Sequence, residues 1–222
     1  MQLVVFDFCE TLVNFQSADR FVEYVIKNEN YRKYRWLFHV NRILSKTRVL
    51  SVLGKFFPEL NPSKRLKLLQ VKGMSQEKIK KYAQEFYEDN VMPNLIHPLY
   101  ELMQSHIKNG DYVLILSGGY SPYINVFSQK HQVKAFFATE IAFKAGKVTG
   151  KFEGKDCLYG QKTVLLQQYL QNNKINYTKK IAYSDSASDL PLLQWADEAF
   201  VISKRKSQPW AKQYGFKEII HD

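Results

Sequence analysis

Leu3-Val4-Val5-Phe6-Asp7-Phe8-Cys9-Glu10-Thr11-Leu12-Val13 decides how the rest of the chain is read. Its first half is a short apolar run, rich in β-branched and aromatic residues, with no polar alternation. Such a run suits a strand covered on both faces, as the strands of a parallel sheet are. Asp7 closes the run and so falls at the carboxyl end of the first strand. Val113-Leu114-Ile115-Leu116 repeats the pattern after a Gly110-Asp111 break. Phe136-Phe137-Ala138-Thr139 and Ile181-Ala182-Tyr183-Ser184 follow, and Ala199-Phe200-Val201-Ile202 is the last strand. Helical periodicity separates them over Leu95 to Ile107, Tyr123 to Phe127, Val164 to Leu170 and Asp189 to Trp195. Strands alternating with helices predict a mostly parallel α/β sheet with right-handed crossovers. Ligands of such sheets bind outside the carboxyl ends of the strands.

Residues 14 to about 93 break that alternation. Val22, Val25 and Ile26, then Leu37, Val40 and Leu44, then Val49, Leu53 and Phe56 recur at three- and four-residue steps, the spacing of amphipathic helices. Pro58 and Pro62 interrupt the pattern before Leu66 to Leu69, and Ile79, Ala83 and Phe86 resume it. The expected organisation is a core of residues 1–13 and 94–222, with a helical cap of residues 14–93 inserted after the first strand. Ala145-Gly146-Lys147-Val148-Thr149-Gly150, flanked by alternating residues, predicts a β-hairpin within one connection.

The chain has 222 residues, of which 45% are hydrophobic and 24% charged, enough for one α/β domain and an insertion. No run of 18 apolar residues occurs, and the acidic start with Asp7 and Glu10 lacks the basic region of a secretion signal. Two cysteines, Cys9 and Cys157, are too few for a disulfide framework, so a cytoplasmic location is expected. The five histidines sit at no metal-ligand spacing, which argues against zinc. The formal charge is +11, and residues 19–89 hold 16 Lys/Arg against 8 Asp/Glu. With no zinc-finger spacing and no RNP-like aromatic signature, nucleic acid is not an expected partner. The mixed stretch Tyr31-Arg32-Lys33-Tyr34-Arg35-Trp36-Leu37-Phe38 reads as a helix with a solvated basic face. A second reading rests it on anionic lipid as a peripheral membrane contact.

Four features fall at strand ends: Asp7, then Ser117-Gly118-Gly119, then Lys162 opening a helix, then Asp185 with Asp189. In a parallel sheet they converge on one rim. Carboxylates, a hydroxyl, a lysine and glycine amides together make a phosphate site that needs a divalent cation. Asp7 and Asp185 can hold Mg²⁺, which takes oxygen ligands and keeps several waters. Ser117 and the Gly118 amide can donate to phosphate oxygens, and Lys162 supplies compensating charge. A carboxylate that attacks phosphorus forms an aspartyl-phosphate and divides one difficult displacement into two.

With these residues in order, the chain resembles the haloacid dehalogenase superfamily. Phe6 to Val13 looks like its first motif, and Leu116-Ser117-Gly118-Gly119 is similar to the second motif of phosphoserine phosphatases. Lys162 matches the third motif, and Tyr183-Ser184-Asp185-Ser186-Ala187-Ser188-Asp189-Leu190-Pro191 the fourth in its subclass IB form. Trp210 to Phe216 also looks like the ending of that subclass. The resemblance implies a Rossmann-like three-layer α/β/α core and a phosphatase acting on a small phosphorylated metabolite. It makes Asp7 the nucleophile and a Mg²⁺ ligand, with the Cys9 carbonyl and Asp185 completing the protein ligands. Asp189 is then either a ligand or the partner of one. Ser117, Gly118 and Lys162 hold the phosphoryl group, and Thr11 orders the loop after Asp7.

Two departures matter. Cys9 stands where the family's hydrolases carry an aspartate that acts as general acid and then base. A thiol of ordinary pKa about 8.5 is a different proton donor, so slow hydrolysis, phosphotransfer or a ligand-binding role without turnover are the alternatives. Glu10 is a poor replacement if it follows strand alternation and points to the opposite side. Gln16 stands where phosphoserine phosphatases carry a glutamate that reads the substrate amine, which argues against phosphoserine; the expected substrate is another small phosphomonoester, such as a sugar or polyol phosphate. Some subclass IB relatives act on lipid head groups, which makes a lipid-phosphate phosphatase the further alternative.

Overall fold

The computed structural model describes residues 1–29 and 61–222. The basic stretch at 31–38 and the apolar positions from Leu37 to Phe56 lie outside the described residues. Strand β1 (Leu3–Phe6) is fully buried along its length and lies fourth in a seven-stranded sheet. Its neighbours are β2 (Tyr112–Tyr120) and β5 (Lys180–Ser184), both parallel to it. Outward from β2 come β3 (Ala135–Lys144) and β4 (Lys147–Glu153), and outward from β5 come β6 (Glu198–Lys204) and β7 (Lys217–His221). Every neighbouring pair is parallel except the β3–β4 hairpin. Ala145 and Gly146 turn that hairpin at φ 49° and 72°, the positive values that tight two-residue turns require.

The absence of alternation in β1 has a direct cause, since both faces are covered. Val4 and Phe6 join one apolar cluster with α1 (Ser17–Glu29), α2 (Pro62–Leu69), α3 (Gln76–Phe86), α4 (His97–Lys108) and α5 (Ser121–Lys130). Leu3 and Val5 join a second cluster with α6 (Gly160–Asn173), α7 (Leu190–Trp195) and α8 (Pro209–Gln213). Helices on both faces of a mostly parallel sheet make the three-layer, Rossmann-like α/β architecture. No helix among the described residues is long and apolar enough to cross a membrane.

Two strands differ from expectation. Strand β2 does not stop at Leu116 but runs through Ser117-Gly118-Gly119 to Tyr120, its register against β3 slipping between Leu116 and Tyr120. The glycines weaken the strand pattern, and the slip is where the ladder bends around them. Ala199–Ile202 is not the last strand, because β7 follows it at the sheet edge. Lys217-Glu218 at its start and half-exposed side chains along it give β7 the polar look of a loop.

The described parts of 14–93 share the core of the sheet rather than a core of their own. Phe86 is fully buried and meets Phe15, Phe21, Tyr24 and Tyr123 at ring distances between 5.1 and 6.2 Å. Tyr123 and Phe127 of α5 in turn flank Phe8. The two stems of the segment are stitched together, with Asn14 N–H donating to Asn94 O at 3.0 Å and Ile96 N–H to Leu12 O at 2.8 Å. Emptying the centre of this cluster should cost the large-to-small core penalty: Phe86→Ala is expected to lower unfolding free energy by about 3–5 kcal/mol. Ile220→Ala, on a side chain 53% exposed, should change it by less than about 0.5 kcal/mol. Urea unfolding of both variants tests this, and equal midpoints would show that the ring cluster does not hold the segment.

Candidate active site

The chain leaves β1 at Phe6 and is at once held by its neighbour, Asp7 N–H donating to Tyr183 O at 2.9 Å. The next turn is tight, with Leu12 and Val13 amides both returning to Phe8 O and Glu10 at φ 54°. Thr11 ties this turn to the end of β5, its Oγ1 accepting the Asp185 amide at 3.1 Å. The same hydroxyl lies 3.4 Å from Asp7 Oδ2 and 3.5 Å from Asp185 Oδ1. Two carboxylates from two parallel strands are thereby set side by side.

Lys162, in the first turn of α6, inserts its ammonium beneath them. Its Nζ lies 2.5 Å from Asp7 Oδ1 and 2.6 Å from Asp189 Oδ2, and all three side chains are buried. Ser184 Oγ donates to the same Asp189 oxygen at 2.7 Å. Burial alone would lower the Lys162 pKa, but the carboxylates of Asp189 and Asp7 outweigh it and the net shift is upward. Asp7 is pushed up to about 6, by burial first and by Asp189, against the pull of Lys162. Asp185 is pushed up to about 8, by burial and then by the charges of Asp7 and Glu10.

On the other side, β2 brings Gly118 and Gly119 against the site. A Cβ on Gly118 would lie 2.4 Å from Leu158 Cδ2, and one on Gly119 would lie 2.4 Å from Tyr123 Oη. At Gly119 a side chain would meet buried Tyr123, Ser17 and Ser117, whereas at Gly118 the Leu158 side chain would have to move aside. Gly119 N–H donates to Ser117 Oγ at 2.9 Å, which leaves the serine's own proton for another acceptor. Ser117 is fully buried and does not line the adjoining cavity.

That cavity has a volume of about 340 Å³ and gathers Asp7, Cys9, Gly118, Lys162, Asp185 and Asp189. All of the expected site residues except Ser117 thus reach one space. Glu10 lines it as well, with its carboxylate accepting from Gln16 Nε2 at 2.7 Å. The expectation that Glu10 points away is overturned. Strand alternation ended at Phe6, and the positive φ turns Glu10 back toward the site. The inserted segment contributes Gln16, Asp19, Asn61, Ser63 and Lys64, of which sequence reasoning singled out Gln16 alone. Lys64, which the sequence reading passed over among the 16 Lys/Arg of residues 19–89, is only 5% exposed.

Cys9 packs against the start of α1. Its Sγ lies 3.0 Å from Ser17 Oγ, and the Ser17 hydroxyl is 2.6 Å from Tyr123 Oη. Burial, and then the Asp7 charge, pushes the thiol up to about 11. Cys157 is fully buried, in keeping with a packing role.

The donor set fits a hard divalent cation. One oxygen of Asp189, Oδ1, is buried without a hydrogen-bond partner, and a single ammonium faces three crowded carboxylates. Among the described residues no three His, Cys, Asp or Glu side chains form a metal-holding group. The fit is therefore to an ion held by few protein oxygens and several waters, as Mg²⁺ prefers, rather than to a closed protein cage.

The profile of the haloacid dehalogenase-like hydrolases matches residues 4–194. The chain belongs to that family. It is 26% identical over 225 residues to a phosphoserine phosphatase of Methanocaldococcus jannaschii, covering 99% of this chain and 96% of the relative. It is 24% identical over 215 residues to a histidinol-phosphatase of Neisseria meningitidis serogroup C, covering 90% of each. A Bordetella pertussis protein of unknown function has the same fold, with TM-score 0.82 and 20% identity over 98% of this chain and 97% of that one. The chain is thus a hydrolase of a family whose matched relatives are phosphatases, built like the phosphoserine phosphatases.

The buried triad yields a stability prediction. Removing one partner of a buried ion pair leaves an uncompensated charge, typically worth about 3–5 kcal/mol. Lys162→Met should lose about that much in metal-free buffer, and added Mg²⁺ should recover part of the loss. A variant as stable as wild type without metal would mean that Asp7 and Asp189 do not depend on the lysine.

Proposed function

We propose that this chain is a Mg²⁺-dependent phosphatase of small phosphomonoesters that works through an aspartyl-phosphate on Asp7. The observation that carries the reading is the placement of Asp7. It ends the central strand, opens on a polar cavity, and touches an ammonium that keeps a donor in reserve. Lys162 has three N–H groups and two protein partners, so the third is left for a phosphoryl oxygen. The Gly118 amide, at the cavity wall, is proposed as a further donor, with the Ser117 hydroxyl buried behind that wall as the next.

Asp7, the Cys9 carbonyl and Asp185 would hold the cation, with Asp189 as ligand or ligand partner. When bound, the ion would supply charge to offset phosphate and carboxylate together. The chain's own residues do the rest. A carboxylate oxygen of Asp7 attacks phosphorus, the ester oxygen departs and takes up a proton, and the Asp7 acyl-phosphate remains. Water then attacks phosphorus, inorganic phosphate leaves, and the carboxylate is restored. Residues 14–93 act as a cap that chooses the leaving group, in keeping with Gln16, Asn61 and Ser63 on the cavity wall. These polar, neutral side chains favour a hydroxyl-bearing leaving group, such as a sugar or polyol. Gln16, whose amide is engaged with Glu10, argues against an amine reader of the phosphoserine type.

Both proton steps are weak here. A thiol held near pKa 11 is neutral at pH 7 and is neither a ready acid for the leaving oxygen nor a base for water. Breakdown of the phospho-aspartate is then slow, and alcohols can compete with water for it. A carboxylate at position 9 would meet two donors already in place, the Ser17 hydroxyl and the Ser17 amide.

Two experiments test this reading. With an aryl phosphate and saturating Mg²⁺, wild type should show a burst and then slow turnover, which Asp7→Asn abolishes without unfolding. Cys9→Asp should raise the steady rate, up to the roughly 10²–10⁴-fold that a positioned acid–base group supplies. Activity surviving in folded Asp7→Asn would remove the nucleophile. The second experiment separates the ligands. Saturating Mg²⁺ to about a hundred times its Kd is worth about 2.7 kcal/mol, or roughly 5–10 °C in Tm for a chain of this size. Cys9→Ala, which keeps the carbonyl, should retain that shift, whereas Asp185→Ala should lose most of it. Equal shifts in the two variants would take Asp185 out of the ligand set.

A further inference from the structure

A second lysine lies buried at the same cavity. Lys64, in the first turn of α2, points its ammonium into the sheet, where Nζ lies 2.6 Å from Gly118 O, 2.7 Å from Thr139 Oγ1 and 2.5 Å from Asp156 Oδ1. An ammonium has three donors, and all three are taken. Lys64 therefore has nothing left to offer a substrate, in contrast to Lys162. Its stem and charge are walled by Tyr120 and Phe152, whose ring centres lie 5.1 and 5.0 Å away.

What Lys64 holds is more informative than what it lines. Leu158 packs directly on Gly118, and glycine is the residue with the least intrinsic restraint on its backbone. A donor cradle built on it needs an outside clamp. Asp156 and Cys157 open the loop that leads to Lys162, and the Cys157 amide donates to the same Thr139 hydroxyl at 3.3 Å. Asn61, just before α2, donates to the other Asp156 oxygen at 3.2 Å. The inserted segment thus grips both flanks of the phosphate site through one buried junction.

We propose that Lys64 is a positioning residue that fixes the Gly118 peptide for phosphate and ties the first turn of α2 to the phosphate cradle. The proposal rests on reading the cavity as a phosphoryl-transfer site. Lys64 reaches the reaction through Gly118 and touches no substrate atom.

The test uses the full chain and three proteins: wild type, Asp156→Asn, and Lys64→Met combined with Asp156→Asn. The double variant removes both charges together, so no buried ion is stranded, and a cooperative melt verifies its fold. Asp156→Asn strands the buried ammonium and should melt earlier than wild type, but it keeps the lysine on the Gly118 carbonyl, so Gly118 exchange and phosphate affinity should stay close to wild type. In the double variant, amide exchange at Gly118 and Gly119 should quicken at least about tenfold, and Kd for inorganic phosphate in the presence of Mg²⁺ should rise about tenfold. Turnover of an aryl phosphate should fall through KM as well as kcat. A folded double variant with wild-type exchange, or with fast exchange and wild-type phosphate affinity, would overturn the proposal. So would Asp156→Asn alone reproducing the full loss, because the carboxylate and not the lysine would then set the cradle. A wild type that neither binds phosphate nor hydrolyses the ester would instead count against the phosphatase reading, and the exchange rates would decide the clamp on their own.

Discussion

One buried ammonium between two carboxylates, Lys162 against Asp7 and Asp189, sets the conditions for everything around it. Three charged groups taken out of water are tolerated only if their geometry is tight and their remaining hydrogen-bonding positions are filled. The fold meets that demand by drawing each group from a different element: the end of β1, the first turn of α6 and the turn after β5. None of these elements can shift without breaking a short contact of 2.5 to 2.7 Å. The parallel order of β1 and β5 supplies the alignment, and Thr11 locks the two strand ends to each other. The excess of negative charge that remains is the physical reason the site suits a cation.

Close approach is the second constraint. At Gly118 and Gly119 the end of β2 is bare backbone, packed against Leu158 and Tyr123. Bare backbone presents amide donors at short range and also gives up stiffness. The structure restores stiffness from outside, through Ser117 Oγ on the Gly119 amide and Lys64 on the Gly118 carbonyl. Local freedom and remote restraint belong together here, and the remote part comes from the inserted segment.

What could be read from the sequence follows from these physical causes. Strand β1 was legible because a run buried on both faces has no polar alternation, and its register is then fixed by the helices on each side. The convergence of Asp7, Gly118, Lys162, Asp185 and Asp189 was legible because a parallel sheet places all its carboxyl ends on one rim. Strand β7 was not, since an edge strand starting Lys217-Glu218 has the composition of a loop. Glu10 was misjudged because strand alternation was applied one turn too far, past the point where a positive φ takes over. Lys64 was hidden for a different reason. Burial of a lysine depends on Asp156, Thr139 and Gly118, which lie 92, 75 and 54 residues away in sequence. No local window contains them, and a lysine in a basic segment reads as solvated.

Electrostatics then sets the order of events on the proposed reading. A phosphomonoester approaches a pocket whose floor already carries Asp7, Asp185 and Asp189 against one ammonium, with Glu10 on the rim. Without a cation the crowding keeps Asp185 largely protonated near neutral pH, and Lys162 is engaged by Asp7 and Asp189, so the floor offers a phosphate no net attraction. The net charge of the chain pulls the other way. The formal charge of +11, with its excess concentrated in residues 19–89, draws anions toward the molecule over roughly a Debye length of 8–10 Å. Long-range attraction and the lack of short-range attraction are therefore set by different residues, and a divalent cation at the strand ends would supply what the floor lacks. Cys9 fits the same logic. A second carboxylate beside Asp7 would add another negative charge to a floor already short of positive ones. A neutral thiol relieves that crowding, at the cost of the acid–base group that both steps of hydrolysis call for.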